Sequence, residues 1–147
     1  MKALVIYYSK TGNTKKIAEA IAEELKAELK SVDEPIEVGN YDLICVGTSV
    51  YAGCVCSKIK NFMNNLPNLE GKKTAGFCTM ALIGAKSTLH FIKEKFQFKK
   101  AVFLGGFSSI SQTGIFFGYG PRLWAPGRPN ERDVEGARSF ARSLVDL

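Results

Sequence analysis

The chain opens with an apolar run, a short hydroxyl-rich turn and a helical pattern, in that order. Residues Ala3 to Ile6 are continuously apolar, and the turn Ser9 to Thr14 follows after two tyrosines. Apolar residues then recur at helical spacing, at Ile17, Ile21, Leu25 and Leu29. The pattern predicts a buried strand, a tight turn and an amphipathic helix, which restricts the fold more than any other feature of the chain.

The turn between this strand and this helix has the composition of a phosphate site. A helix N-terminus leaves backbone N–H groups unpaired at the positive end of the helix dipole. Ser9, Thr11 and Thr14 add hydroxyl donors, and Gly12 allows close approach of the backbone. The alternative is that Thr14 or Asn13 only caps the helix. A Walker loop and a Gly-x-Gly-x-x-Gly turn are both absent from this stretch, which argues against ATP or NAD bound in the usual way.

Length and composition predict one globular domain over residues 1–147. The chain has 147 residues, of which 46% are hydrophobic, enough for a substantial core. No stretch approaches the ~20 apolar residues of a membrane helix, so we expect a soluble, cytoplasmic protein. Cysteines there are reduced thiols, and the chain has four: Cys45, Cys54, Cys56 and Cys78.

Further apolar runs alternate with helical patterns along the chain. Strands are predicted at Leu43 to Val46, Thr74 to Cys78 and Ala101 to Leu104. Helices are predicted from the spacing of two sets of residues between them: Ile59, Phe62, Met63 and Leu66, then Leu89, Ile92, Lys93 and Phe96. This alternation predicts a doubly wound α/β fold, with a parallel sheet covered by helices on both faces.

The alternation of strands and helices ends in the last part of the chain. An irregular segment rich in Gly, Ser, Pro and aromatic residues is predicted over Phe107 to Arg128. A helix capped by Asn130 should follow it, with acids in its first turn. Its predicted buried stripe consists of Val134, Ala137, Phe140, Ala141, Leu144 and Val145.

Three turns should converge at the carboxyl edge of this sheet. They are Ser9 to Thr14, Thr48 to Gly53 and Thr79 to Gly84, each of which follows a predicted strand. Ligands of open parallel sheets bind beyond the carboxyl ends of the strands. We therefore expect the first turn to hold a phosphate and the other two to hold a flat ring.

Three motifs resemble those of the flavodoxin family. They are Tyr8 to Thr14 after the first strand, Val46 to Gly53 in the second turn, and Leu69 to Ala75 before the third long apolar run. The similarity extends from the start of the chain to about Phe107 and includes the last helix. It implies a five-stranded parallel sheet of order 2-1-3-4-5 and a non-covalently held FMN.

The resemblance also implies which residues contact FMN. The phosphate would be held by Ser9, Lys10, Thr11, Gly12, Asn13 and Thr14. The isoalloxazine would be flanked by Thr48, Ser49, Val50, Tyr51, Ala52 and Gly53 on one side and by Thr79, Met80, Ala81, Leu82 and Ile83 on the other. Tyr51 is placed to stack on the ring. No catalytic acid or base and no metal ligand is predicted.

Two functions stay open at this point. The first is an electron-transfer protein that shuttles electrons between redox partners. The second is an FMN-dependent oxidoreductase, either a quinone reductase or similar to the flavodoxin-like protoporphyrinogen oxidases. The late insertion of this chain, with Phe116, Phe117, Arg122 and Trp124, could then touch a membrane surface. Because the third turn has no aromatic residue, the second face of the ring could be covered by aliphatic side chains or be open to a substrate. It could instead be covered by an aromatic residue of the late segment: Phe116, Phe117, Tyr119 or Trp124. A third hypothesis is a flavin-free binding module on the same fold.

Charge separates this chain from the family pattern. Flavodoxins are usually acidic, whereas this chain has a net charge of +6. The lysines are scattered and no basic helix with interleaved aromatics occurs, so we do not expect nucleic-acid binding. We expect an acidic redox partner protein and a lowest flavin potential less negative than in an acidic relative.

Cysteine and histidine are predicted to play minor parts. Cys45 and Cys78 are predicted to be small core residues. Cys54 and Cys56 lie beside the second turn, but their spacing is not that of a redox pair. His90, the single histidine, is predicted on the surface of a helix.

Overall fold

The computed structural model describes residues 1–51, 54–80, 83–110, 113–116, 121–124 and 128–146. Its strands are β1 (Ala3–Tyr8), β2 (Glu28–Ser31), β3 (Leu43–Tyr51), β4 (Cys54–Val55), β5 (Lys73–Met80), β6 (Val102–Ile110), β7 (Thr113–Phe116) and β8 (Pro121–Trp124). Its helices are α1 (Asn13–Leu25), α2 (Ser57–Asn64), α3 (Ala85–Phe98) and α4 (Glu131–Val145).

Five of these strands form a parallel sheet in the order β2-β1-β3-β5-β6. Counted in chain order among themselves, they follow the predicted order 2-1-3-4-5. The short β4 pairs antiparallel with the end of β3, and β7 and β8 form a separate antiparallel pair. The predicted fold class is confirmed.

The sheet carries a hydrophobic core on each face. Alternate residues of the central strands point to opposite faces. Thus Val5 and Cys45 belong to the core under α1 and α4, while Ile6 and Ile44 belong to the core under α2 and α3. Buried strands that serve two cores must be apolar throughout, which explains the continuous apolar runs of the sequence.

One close approach fixes the middle of β3 against its neighbour β5. A Cβ added at Gly47 would lie 2.0 Å from the Phe77 ring of β5. Phe77 is fully buried, so its ring has no space to move aside. Only glycine fits at this position.

The first helix is shorter than predicted. It ends at Leu25, and the next residue, Lys26, has a left-handed backbone with φ of 52°. Leu29 therefore does not extend the helix but lies in β2, where it pairs with Val5 of β1. The apolar spacing of Leu29 is explained equally well by a strand that covers the core under α1.

The predicted irregular segment also begins too early. Strand β6 continues past Gly105 and Gly106 to Ile110 and stays paired with β5 up to Met80. These glycines lie beneath helix side chains, since a Cβ at Gly106 would approach Leu89 to 3.1 Å.

Within the predicted irregular segment, β7 and β8 form an antiparallel pair. The helix predicted after Asn130 is confirmed, except that Val145 is half exposed rather than buried.

In the part of the chain that the structure describes, no helix has the length and apolar character required to cross a membrane.

Candidate functional site

The ends of three neighbouring strands meet at the carboxyl edge of the sheet. Ser9 to Gly12 connect β1 to α1, Thr48 to Tyr51 complete β3, and Thr79 and Met80 complete β5. Tyr8 is in register with Thr48, and Ser49 is in register with Thr79. The pairing of the strands therefore places the three predicted turns side by side.

A chain of hydroxyl groups links these turns. Thr14 Oγ1 lies 2.6 Å from Thr79 Oγ1 and 3.0 Å from Ser49 Oγ. The Ser49 hydroxyl also donates to the carbonyl oxygen of Tyr8 at 3.4 Å. Because Thr14 and Thr79 are buried, these bonds do not compete with bulk water and hold the turns in a fixed arrangement.

The start of α1 is open. Its N-cap is Gly12, with φ of 92°, and this residue provides no side-chain cap for the first turn. The first helical bond runs from the Lys16 N–H to the Gly12 carbonyl at 3.0 Å, so the N–H groups of Thr14 and Lys15 have no acceptor within the helix. Capping by the side chain of Thr14 or Asn13, the alternative drawn from the sequence, is not what the structure shows.

Two hydroxyls in the turn are oriented by backbone and side-chain donors. Ser9 Oγ accepts from the Gly12 N–H at 3.0 Å, and Thr11 Oγ1 accepts from Asn13 Nδ2 at 3.1 Å. Each hydroxyl keeps its own proton to donate elsewhere. With the open N–H groups of the helix and no acid in its first turn, this donor set fits a phosphate dianion.

The described walls beside this turn are apolar or hydroxylated. Thr48 and Val50 are buried, and Met80 is half buried. The Thr48 hydroxyl donates to the Ser49 carbonyl at 2.9 Å. Ile83, by contrast, is 71% exposed. Such walls suit a largely apolar flat ring.

Several predicted site residues are not among those described. Ala52, Gly53, Ala81 and Leu82 lie outside the described ranges, as do Phe117 and Tyr119 of the aromatic segment. Phe116 and Trp124 lie in the β7–β8 hairpin, and the backbone of Tyr51 ends β3. The contacts of all seventeen predicted residues with a cofactor stay predictions.

The N-terminus of α4 lies next to that of α1 and is closed. Asn130 and Asp133 form a capping box, with the Asn130 N–H donating to the Asp133 carboxylate at 2.8 Å. The Arg128 guanidinium donates two hydrogen bonds of 2.5 Å to the same carboxylate. Burial alone would raise the pKa of Asp133, but the hydrogen bonds from Arg128 and Asn130 outweigh it and hold that pKa below its usual value. Lys16 Nζ reaches across from α1 and donates to the Pro129 carbonyl at 2.8 Å.

Sequence reasoning missed the contacts of Lys16 and Arg128. Lys16 and Pro129 are 113 positions apart, and no spacing rule connects them. The Asn-x-x-Asp spacing of Asn130 and Asp133 did predict the cap, and Arg128, two residues before Asn130, was the available sign of the ion pair.

The cysteines and the histidine described by the structure are in the predicted places. Cys45 and Cys78 are buried, and burial raises the pKa of each thiol to about 12. Cys56 is half buried at the start of α2. The imidazole of His90 lies on the surface, 3.0 Å from the Glu94 carboxylate. Within the described ranges, no three His, Cys, Asp or Glu side chains are grouped to hold a metal ion.

Comparison with known proteins agrees with this geometry. The model of the family described as Flavodoxin domain matches residues 4–113. An uncharacterized protein of Methanocaldococcus jannaschii is 34% identical over 99% of both chains. A flavodoxin from the domain Archaea superposes with a TM-score of 0.77 at 21% identity, covering 99% of this chain and 97% of the other.

One similar structure contains a cofactor. The flavoprotein of Lactobacillus acidophilus in complex with FMN superposes with a TM-score of 0.62. It is 26% identical to this chain and covers 73% of it and 92% of its own length.

Proposed function

We propose that this chain, which belongs to the flavodoxin family, holds FMN without a covalent bond and carries electrons between redox partner proteins. The family match over residues 4–113 and the FMN complex of a similar flavoprotein support FMN as the cofactor. The observation that carries the proposal is the open start of α1 beside the hydroxyl link between Thr14, Ser49 and Thr79.

The chain's own residues would divide the work of binding. Ser9, Thr11 and the N–H groups at the start of α1 would hold the phosphate, because they donate hydrogen bonds at the positive end of the helix. Thr14 would act mainly as a link between turns, because its hydroxyl already has two partners. The ends of β3 and β5 would then flank the ring.

FMN, when bound, supplies the transfer of one or two electrons, and the protein supplies binding and electrostatics. The described wall residues Thr48, Ser49, Val50, Thr79 and Met80 carry no titratable side chain. An enzyme that moves protons on a substrate places such groups beside it. An electron carrier needs no such group, so the composition of these described walls is compatible with a carrier.

The partner in this proposal is a protein with an acidic surface. The support is the net charge of +6, because opposite charges accelerate encounter and fix the orientation of the two proteins.

Ligand titration of the apoprotein tests the cofactor. FMN should bind at least ~100-fold more tightly than riboflavin, since riboflavin lacks the phosphate and forfeits several charge-assisted hydrogen bonds. Inorganic phosphate should compete with FMN for the same turn. Equal affinity for FMN and riboflavin, or no binding of either, would contradict the proposal.

Steady-state assays separate the carrier from the enzyme. The FMN-loaded protein alone should neither oxidise protoporphyrinogen nor reduce a quinone at a catalytic rate, and electron flow should require a protein donor and a protein acceptor. Sustained turnover of either small molecule without partner proteins would favour the oxidoreductase instead.

A further inference from the structure

Two exposed lysines flank the linked turns at the carboxyl edge of the sheet. Lys15 directly follows Thr14 in the first turn of α1, and Lys86 lies in the first turn of α3, seven residues after Thr79. The 2.6 Å contact between Thr14 and Thr79 joins the start of α1 to the end of β5, the strand that leads to α3. The two helices pack on opposite faces of the sheet, and both begin at its carboxyl edge. Within the described part of the chain, neither lysine has an ion-pair partner.

Two other positive charges at this edge are compensated by carboxylates. Lys58 at the start of α2 lies 2.8 Å from the Asp33 carboxylate, and Arg128 is paired with Asp133 before α4. The uncompensated positive charge beside the proposed cofactor site therefore includes Lys15 and Lys86.

Helix stability does not explain this charge. Lysine in a first turn lies at the positive end of the helix dipole, where acids are favoured. The first turns of α1, α2 and α3 contain no acid, whereas α4 has two, Glu131 and Asp133. Where only stability matters, at α4, the chain has the favourable residues.

We propose that the carboxyl edge of the sheet, between Lys15 and Lys86, is the docking face for a carboxylate-rich surface of the redox partner protein. The inference rests on the proposed function, because electrons would enter and leave at the edge where FMN is held. Charge complementarity selects the partner: two unpaired ammonium groups beside open helix N-termini attract carboxylates and repel a basic surface.

Small charged oxidants measure the local field directly. The FMN-loaded protein is photoreduced and mixed in a stopped-flow instrument with hexacyanoferrate(III), a trianion, or hexaammineruthenium(III), a trication. Two ions of either complex each accept one electron from one fully reduced FMN, which returns to its oxidised form and releases its protons to the buffer. The second-order rate constants are compared at low and high ionic strength, and each variant is first titrated with FMN so that all samples are saturated.

The double variant Lys15→Gln, Lys86→Gln should lower the rate constant for hexacyanoferrate(III) roughly fivefold at low ionic strength and raise that for hexaammineruthenium(III). Both differences should disappear at high salt. The matched control is Lys93→Gln, an exposed lysine on the same helix as Lys86 but about two turns further along it. At an ionic strength of about 0.1 M it should change either rate constant less than twofold, because the added distance of about 10 Å is about one Debye length under that condition.

Replacing the complexes by an acidic and a basic c-type cytochrome extends the test to proteins. The wild type should react faster with the acidic cytochrome at low salt, and the double variant should lose that preference. Equal effects of Lys86→Gln and Lys93→Gln, or a preference for the basic cytochrome, would overturn the docking face while leaving the FMN carrier in place. A wild type that binds no FMN would overturn both proposals.

Discussion

The first and the last helix begin side by side at one edge of the sheet, but only the N-terminus of the last helix is capped by a side chain. The start of α4 is closed by the Asn130 capping box and by Arg128. The start of α1 has glycine as its N-cap, no capping side chain and no acid in its first turn. The Lys16 contact with the Pro129 carbonyl shows how near the two ends are.

The difference between the capped start of α4 and the uncapped start of α1 assigns a stabilising role to the first and a ligand-binding role to the second. Capping satisfies the free N–H groups of a helix from within the protein and stabilises it by about 1 kcal/mol. At α4 the chain uses that stabilisation, while at α1 it leaves the same N–H groups available to a ligand. Substitutions at the closed end should therefore change stability alone, and substitutions at the open end should change ligand binding as well.

The largest effect on stability should come from removing the capping box at the start of α4. Asp133→Ala removes one half of the capping box and both hydrogen bonds to Arg128, and it should lower the free energy of unfolding by about 2 kcal/mol. The FMN dissociation constant should stay within twofold of the wild type. Asp146→Ala, an exposed residue at the other end of α4, is the control for loss of one acid. Urea denaturation measures the free energy of unfolding, and FMN titration measures the dissociation constant. A tenfold loss of FMN affinity in Asp133→Ala would contradict the claim that the start of α4 contributes to stability alone.

Two buried threonines at the open ends give a second, smaller test. Thr14 and Thr88 are both fully buried, but Thr14 has two hydroxyl partners, whereas the Thr88 hydroxyl has none among the residues that the structure describes. Thr14→Val should lower the free energy of unfolding by about 1–2 kcal/mol and weaken FMN binding, since it unlinks the turns. Thr88→Val should be neutral or stabilising, because it removes an unpaired buried hydroxyl. Equal destabilisation by both substitutions in urea denaturation would show that the hydroxyl link contributes nothing.

Acid should affect the closed end selectively. The pKa of Asp133 is lower in the folded protein than in the unfolded chain, where an aspartate titrates near ~3.9. Its contribution to stability is therefore present above that value and is lost as pH falls from about 4 through the lower folded pKa. Asp133→Asn should remove this part of the acid dependence, as followed by thermal unfolding between about pH 7 and pH 2. An unchanged slope in the variant would contradict the assignment.

The smallest effect concerns the flavin potential. Lys86→Gln removes one positive charge near the proposed ring site and should make the potential for full reduction of bound FMN more negative by roughly 20 mV, because reduction adds negative charge to the cofactor. Lys93→Gln should shift it by less, and redox titration with a reference dye measures both. A shift toward less negative values in Lys86→Gln would be inconsistent with a positive field at this edge.

Particular residues show how far the sequence could predict this molecule. The run Ala3 to Ile6 and the spacing of Ile17 and Ile21 predicted β1 and α1, because a strand that serves two cores and a helix with one buried stripe leave different patterns. Leu29 was wrongly included in the helical pattern, because one apolar residue fits the end of a helix and the start of a strand equally well. The strand from Ala101 to Leu104 was predicted, but its continuation through Gly105 and Gly106 was missed, because Leu89 and Phe140, which lie above these glycines, are distant in sequence.

The candidate site was predictable in its location but not in its internal bonds. The turns after three apolar runs had to meet at one edge. That Thr14 would bond to Thr79, 65 positions away, depends on strand order and register, which no local pattern contains. The same holds for Lys16 and Pro129.

The Phe77 ring beneath Gly47 limits how this protein can be re-engineered. Substitutions intended to change ring specificity would have to begin at Thr48, because any side chain introduced at Gly47 would collide with the Phe77 ring. Libraries that randomise the second turn should therefore leave that glycine constant and concentrate their diversity toward the solvent side.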